Sequence, residues 1–192
     1  MQTARGASLT SDVHEHSAGG RRQVGVLLAV AAAVVILDQV TKLMAVAWLR
    51  DGRIVEVVDG ILQLRLVRNP GAAFSFATDK TIVFTVAAVA VSVVILRSSR
   101  RITSRAWAVA LGGMLGGAVG NLVDRVLREP GFLRGHVVDF LELPNWPVFN
   151  VADSSIVGAA VLVGWLSLRG VPYDDKRSAA AAGPDDPGPE DR

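Results

Sequence analysis

Two aspartates at the edges of long apolar runs are the first candidates for chemistry in this chain. Asp139 stands in Gly135-His136-Val137-Val138-Asp139-Phe140, and Asp153 in Phe149-Asn150-Val151-Ala152-Asp153-Ser154. A carboxylate at a bilayer boundary costs free energy, so its presence calls for a reason. A short Pro-containing loop separates the two, which lets them face each other. Two carboxylates sharing a site are what an aspartic protease at a membrane surface requires. The chain has no cysteine, which excludes a thiol nucleophile, a thiolate metal site and a disulfide framework, and it shows no serine–histidine arrangement.

The elements that must position these groups are membrane spans. Of 192 residues, 51% are hydrophobic, and the mean hydropathy of +0.39 is high for a soluble domain of this size. A net charge of +2 gives no reason to expect a nucleic-acid partner. Four apolar runs, at about 24–49, 79–97, 106–126 and 150–169, approach the ~20 residues needed to cross a core of ~30 Å. The first resembles a signal peptide, but Asp38, Gln39 and Lys42 interrupt it and three more spans follow. Arg21 and Arg22, then Arg97, Arg100, Arg101 and Arg105, then Arg169, Lys176 and Arg177 can all lie on the cytoplasmic side of four spans. The long connections 50–80 and 127–150 then face outward. Residues 1–22 and 171–192 read as disordered cytoplasmic tails flanking a membrane domain over 23–170. His14-Glu15-His16 falls in such a tail, and neither it nor the lone His136 makes a convincing metal site.

The first outer connection is rich in β-branched residues, and Asp59-Gly60 between two such runs predicts a hairpin within a small β-region at about 53–76. Arg68-Asn69-Pro70-Gly71 breaks the second strand; Asn69 serves either the turn or an extended substrate through its amide. Ala72-Ala73-Phe74-Ser75-Phe76 is too short to span and suits the bilayer interface. Asp38 and Lys42, at i and i+4, form a polar pair that either pins the first helix or orients the catalytic loops. Gly112, Gly116 and Gly120 share a helix face, for packing within the bundle or for dimerisation. Asn121, Asp124 and Arg125 project together at the end of the third span. Asp124 is a rival catalytic carboxylate, although Arg125 and Arg128 are placed to neutralise it. Asn150 reads as an N-cap, with Asp153 in the first turn, where the positive helix end favours an anion.

Five blocks in order, Asp38-Gln39-Val40-Thr41-Lys42, Arg68-Asn69-Pro70-Gly71-Ala72-Ala73-Phe74-Ser75, Gly120-Asn121-Leu122-Val123-Asp124-Arg125, Val137-Val138-Asp139-Phe140 and Phe149-Asn150-Val151-Ala152-Asp153-Ser154, resemble bacterial lipoprotein signal peptidase (signal peptidase II). The resemblance implies an all-α integral membrane protein of four transmembrane helices with a small periplasmic β-cradle. It implies that Asp139 and Asp153 are the catalytic dyad and that Asn69, Asn121, Arg125 and Asn150 line the substrate site; a mechanism of two carboxylates sharing a proton needs no metal or other cofactor. The implied substrate is a prolipoprotein cut just before its diacylglyceryl-modified cysteine. The remaining expectations are a monomer among membrane lipids. Two other functions fit the residues: a small transporter or proton channel running through Asp38, Lys42, Asp139 and Asp153, and a non-enzymatic scaffold with a glycine-lined interface.

Overall fold

The computed structural model describes residues 5–71 and 81–174, with side chains described for 21–71 and 82–174. Helix α1 (Arg5–Leu49) leads into a hairpin of β1 (Ile54–Val58) and β2 (Leu62–Asn69); α2 (Thr81–Ser98), α3 (Arg105–Leu127), β3 (Val137–Glu142) and α4 (Val151–Leu168) follow. Among the described residues, four stretches are long and apolar enough to cross a membrane: Arg21–Leu49, Ile82–Arg101, Arg105–Leu127 and Val151–Leu168. The fold class expected from the sequence is therefore present.

Two differences concern the ends. Residues 5–22, read above as disordered, are drawn as the start of α1. They contain no proline, and extending an existing helix is far easier than nucleating one. At the other end the packed domain runs beyond residue 170. The Trp107 indole donates to the Val171 carbonyl at 3.0 Å, the Tyr173 hydroxyl to the Ser98 carbonyl at 2.9 Å, and the two rings meet edge to face at 5.4 Å. Residues 175–192 and the segment Ala72–Lys80, with Phe74 and Phe76, lie outside the described residues.

Helix α3 is the axis of the bundle, and its paired glycines explain why. A Cβ on Gly112 or Gly116 would stand 2.6 and 2.8 Å from the Leu27 and Ala31 carbonyl oxygens of α1, and one on Gly117 would stand 2.5 Å from the Ala152 oxygen of α4. One stripe at i, i+4 admits α1; the stripe one residue further on admits α4. Packing inside the bundle thus accounts for the glycine face. Gly117→Ala is expected to destabilise by about 1–3 kcal/mol through overpacking, whereas a Cβ at Gly158 or Gly164 meets nothing within 4 Å. Alanine at those two helical positions should be neutral or slightly stabilising. Unfolding of the purified variants in detergent checks the contrast.

The three-stranded sheet has the order β1-β2-β3. Gly60 adopts φ +66° at the hairpin turn foreseen from Asp59-Gly60. Strand β3 was not foreseen, because its four residues Val137–Phe140 are all buried and show no alternation of apolar and polar positions. Its register opposes Val67 to Asp139 and Asn69 to Val137. Since side chains alternate faces, Asn69 and Asp139 project from the same side of the sheet.

Candidate active site

Asp153 is brought to Asp139 by the chain between them. Leu143-Pro144-Asn145-Trp146 closes a turn, with the Trp146 N–H on the Leu143 carbonyl at 3.2 Å and Asn145 at φ +57°. Phe149 then pairs with Leu141 on the edge of β3, giving and receiving bonds of 2.9 and 2.8 Å. That stitch leaves the next residue, Asn150, beside Asp139 and at the N-cap of α4.

Asn150, fully buried, joins the two carboxylates. Its side-chain amide donates to Asp139 Oδ1 at 2.6 Å and its backbone N–H donates to Asp153 Oδ2 at 3.3 Å. Its Oδ1 accepts the Asp153 N–H at 2.9 Å, which completes a capping box. The other oxygens are held by amides as well: Asn69 Nδ2 donates to Asp139 Oδ2 and Asn121 Nδ2 to Asp153 Oδ1, each at 2.8 Å. Asn69 also accepts the Gly71 N–H at 2.8 Å, so it shapes the turn, as one of its two expected uses required, while its amide donates to a carboxylate, which was not expected.

Beneath the pair lies a charged network larger than the pair expected from Asp38 and Lys42. The Lys42 ammonium reaches Asp38 Oδ2 at 2.8 Å, Asp124 Oδ2 at 2.9 Å and Asn121 Oδ1 at 3.0 Å. Asp38 Oδ1 accepts the Ala152 N–H at 2.9 Å, one of the N-terminal donors that a helix leaves unsatisfied. Asp124 does not pair with Arg125 as expected. It takes Arg128 at 2.6 Å, Lys42, and the Val138 N–H at 3.1 Å. Gln39, which interrupts the first apolar run and had no contact assigned to it from the sequence, donates to Asp38 and to the Gly120 carbonyl, both at 3.1 Å. With both oxygens engaged and no exposed surface, Asp124 is poorly placed to act on a substrate.

A cavity of about 380 Å³ between α2, α3 and α4 is lined by Phe84, Ala88, Met114, Asn121, Arg125 and Asp153, among others. It is apolar along its length and polar where it reaches Asp153. The Arg125 guanidinium donates to the Gly135 carbonyl at 3.4 Å. Of the residues expected to line a site, Asn121 and Arg125 therefore border the cavity, while Asn69 and Asn150 hold the carboxylates. Among the described residues no group of three or more His, Asp or Glu is placed to hold a metal ion.

Burial pushes the Asp139 carboxyl up to about 6 from 3.8; nearby Asp153 adds to the rise, and the Asn69 and Asn150 amides and Lys42 oppose it. A raised carboxyl stabilises the fold fully below its unfolded value, and that contribution fades as pH climbs through the folded value. From pH 4 to 7 the stability of wild type relative to Asp139→Asn should therefore fall by on the order of 2–3 kcal/mol. Unfolding of both proteins across that range measures the slope; a flat difference would contradict it.

Four spans, a small sheet at one end and two asparagine-held carboxylates beside a lateral cavity define a multi-pass membrane protein with its polar site at the rim of the bundle. Residues 30–169 match the family model for signal peptidase (SPase) II. The lipoprotein signal peptidase of Mycobacterium avium (strain 104) is 54% identical over 153 residues, covering 80% of this chain and 84% of that one. That of Mycolicibacterium smegmatis (strain ATCC 700084 / mc(2)155) is 51% identical over 160 residues, covering 83% and 68%. A solved structure described as a bacterial membrane enzyme superposes with a TM-score of 0.66 at 30% identity, covering 75% of this chain and 93% of that one. The chain belongs to the signal peptidase II family.

Proposed function

We propose that this chain is an aspartic endopeptidase that removes the signal peptide from prolipoproteins, cutting just before the diacylglyceryl-modified cysteine with Asp139 and Asp153. The observation that carries the catalytic assignment is Asn150, which donates to one carboxylate from its side chain and to the other from its backbone. Two carboxylates held this close resist double ionisation and titrate as a unit. The ionised member takes a proton from water, whose oxygen attacks the scissile carbonyl carbon. The protonated member donates to the carbonyl oxygen. When the C–N bond breaks, the proton goes to the amine of the modified cysteine and the new carboxyl stays on the signal peptide. Asn69 and Asn150 aim Asp139, Asn121 aims Asp153, and Arg125 with Asn121 borders the cavity that receives the substrate.

The site lies at the end of the bundle formed by the start of α4 and the end of α3. Arg21, Arg22, Arg97, Arg100, Arg101, Arg105 and Arg169 gather at the opposite end. Arg97, Arg100, Arg101 and Arg105 crowd one short connection there, whereas Arg50, Arg53, Arg65, Arg68, Arg128 and Arg134 are spread over the two long connections at the site end. That asymmetry supports a cytoplasmic position for the crowded end and both termini, with the site working near the outer face. The protein acts as a monomer among lipids, and residues 23–174 form the working domain. An ion path is disfavoured by the other half of the bundle, where Leu27, Ala31, Ile95, Ile102, Ala108 and Leu115 form an apolar core.

The test is cleavage by purified full-length protein of a diacylglyceryl-modified prolipoprotein and of the same polypeptide unmodified. Cleavage directly before the modified cysteine, a bell-shaped pH dependence and a loss of at least ~100-fold on the unmodified polypeptide are expected. An inert protein, or equal rates on both, overturns the reading.

A further inference from the structure

We propose that the end of the bundle opposite the carboxylates holds a binding site for an anionic phospholipid, in the groove whose lining, among the described residues, is Val93, Leu96, Arg97 and Arg100. The groove has a volume of about 420 Å³ and these four residues line it. Val93 and Arg97, and likewise Leu96 and Arg100, stand one helical turn apart, so two parallel ridges each place a guanidinium one turn beyond an aliphatic side chain. Val93 and Leu96 are 49% and 46% exposed, while Ser92, Ile95 and Ser99 turn inward and are buried. The apolar floor therefore faces acyl chains and the basic rim faces headgroups.

Charge selects the occupant. Among the described residues no carboxylate pairs with Arg97 or Arg100, and no acidic residue lines the groove. The neighbouring cavity of about 600 Å³ beneath Val171–Asp174 contains Arg101 but also Asp174, so it does not favour an anion. A guanidinium fork matches phosphate oxygens in geometry as well as charge. Basic pockets at the cytoplasmic ends of spans select acidic headgroups in this way, whereas a zwitterionic choline headgroup carries its own cation and gains less. Arginine enrichment at this end of the spans also serves topology, but topology does not require two guanidinium groups one turn apart to lack a carboxylate partner.

The experiment compares the full chain in nanodiscs of phosphatidylcholine with and without phosphatidylglycerol, reading retained lipid by native mass spectrometry and thermal unfolding in parallel. Wild type is expected to retain phosphatidylglycerol over phosphatidylcholine by about tenfold and to unfold at a higher temperature when it is present. Arg97→Gln/Arg100→Gln should reduce the preference to near parity while still folding, because both side chains are exposed; Arg101→Gln should keep it. Equal retention in wild type, or a preference that survives in the double variant, overturns the site. Inorganic phosphate reproducing the thermal shift in pure phosphatidylcholine would mean a free-anion site and would overturn the lipid assignment.

Discussion

Asp139→Asn and Asp153→Asn are each expected to slow cleavage of lipid-modified prolipoprotein by roughly 10³-fold or more while leaving a folded protein. Both substitutions keep shape and remove the ability to exchange a proton. At position 153 an asparagine oxygen can still accept the Asn150 N–H, so the start of α4 should survive. At position 139 the change removes a buried charge, which the pH argument marks as a cost to the fold above pH 6. The informative result is the double variant. Groups that act as one unit fail together, so Asp139→Asn/Asp153→Asn should be little worse than either single variant. Multiplicative losses would mean that the carboxylates act in separate steps. A single variant within about tenfold of wild type would remove that residue from the chemistry.

The residues of this site were legible in the sequence because the membrane makes them conspicuous. In a span, Asp38, Lys42 and Asp153 have no cheap explanation, whereas on a soluble surface they would attract no notice. The hairpin announced itself through Asp59-Gly60, and the spans through their length. What the sequence hid was pairing across distance. Strand β3 is buried on both faces and therefore lacks the period that marks a half-exposed strand. Asp124 sits beside two arginines in the chain, and local reasoning gave it both; the fold gives it Arg128 and, from α1, Lys42. Asn150 was legible as a cap, but its grip on Asp139 depends on the Phe149–Leu141 stitch, which no local pattern encodes. Gln39 was missed for the same reason: two of its three acceptors, Gly120 and Asp124, are set by the approach of α3 to α1, and only Asp38 is its neighbour in the chain.

Lys42→Met should destabilise the protein by about 3–5 kcal/mol, because it leaves buried carboxylates without the cation they share. Asp38, Lys42 and Asp124 are each 0% exposed, so water cannot take over from the ammonium. Methionine fills much of the same volume, which separates loss of charge from creation of a cavity. Asp124 keeps Arg128, and Asp38 keeps Gln39 and the Ala152 N–H, so the loss should be large without abolishing the fold. Asp124→Asn in the Lys42→Met background should then recover part of it, since neutralising a stranded carboxylate removes its desolvation cost. Unfolding of wild type, Lys42→Met, Asp124→Asn and the double variant in detergent measures the cycle; a Lys42→Met protein within about 1 kcal/mol of wild type would show that the network contributes little. Activity should fall as well, because Asn121 loses the cation on its oxygen while its amide still holds Asp153. Removing a charge at Asp139 and at Lys42 thus has opposite expected effects on stability above pH 6. The first relieves a buried carboxylate that the proposed chemistry needs, and the second strands carboxylates that the scaffold needs.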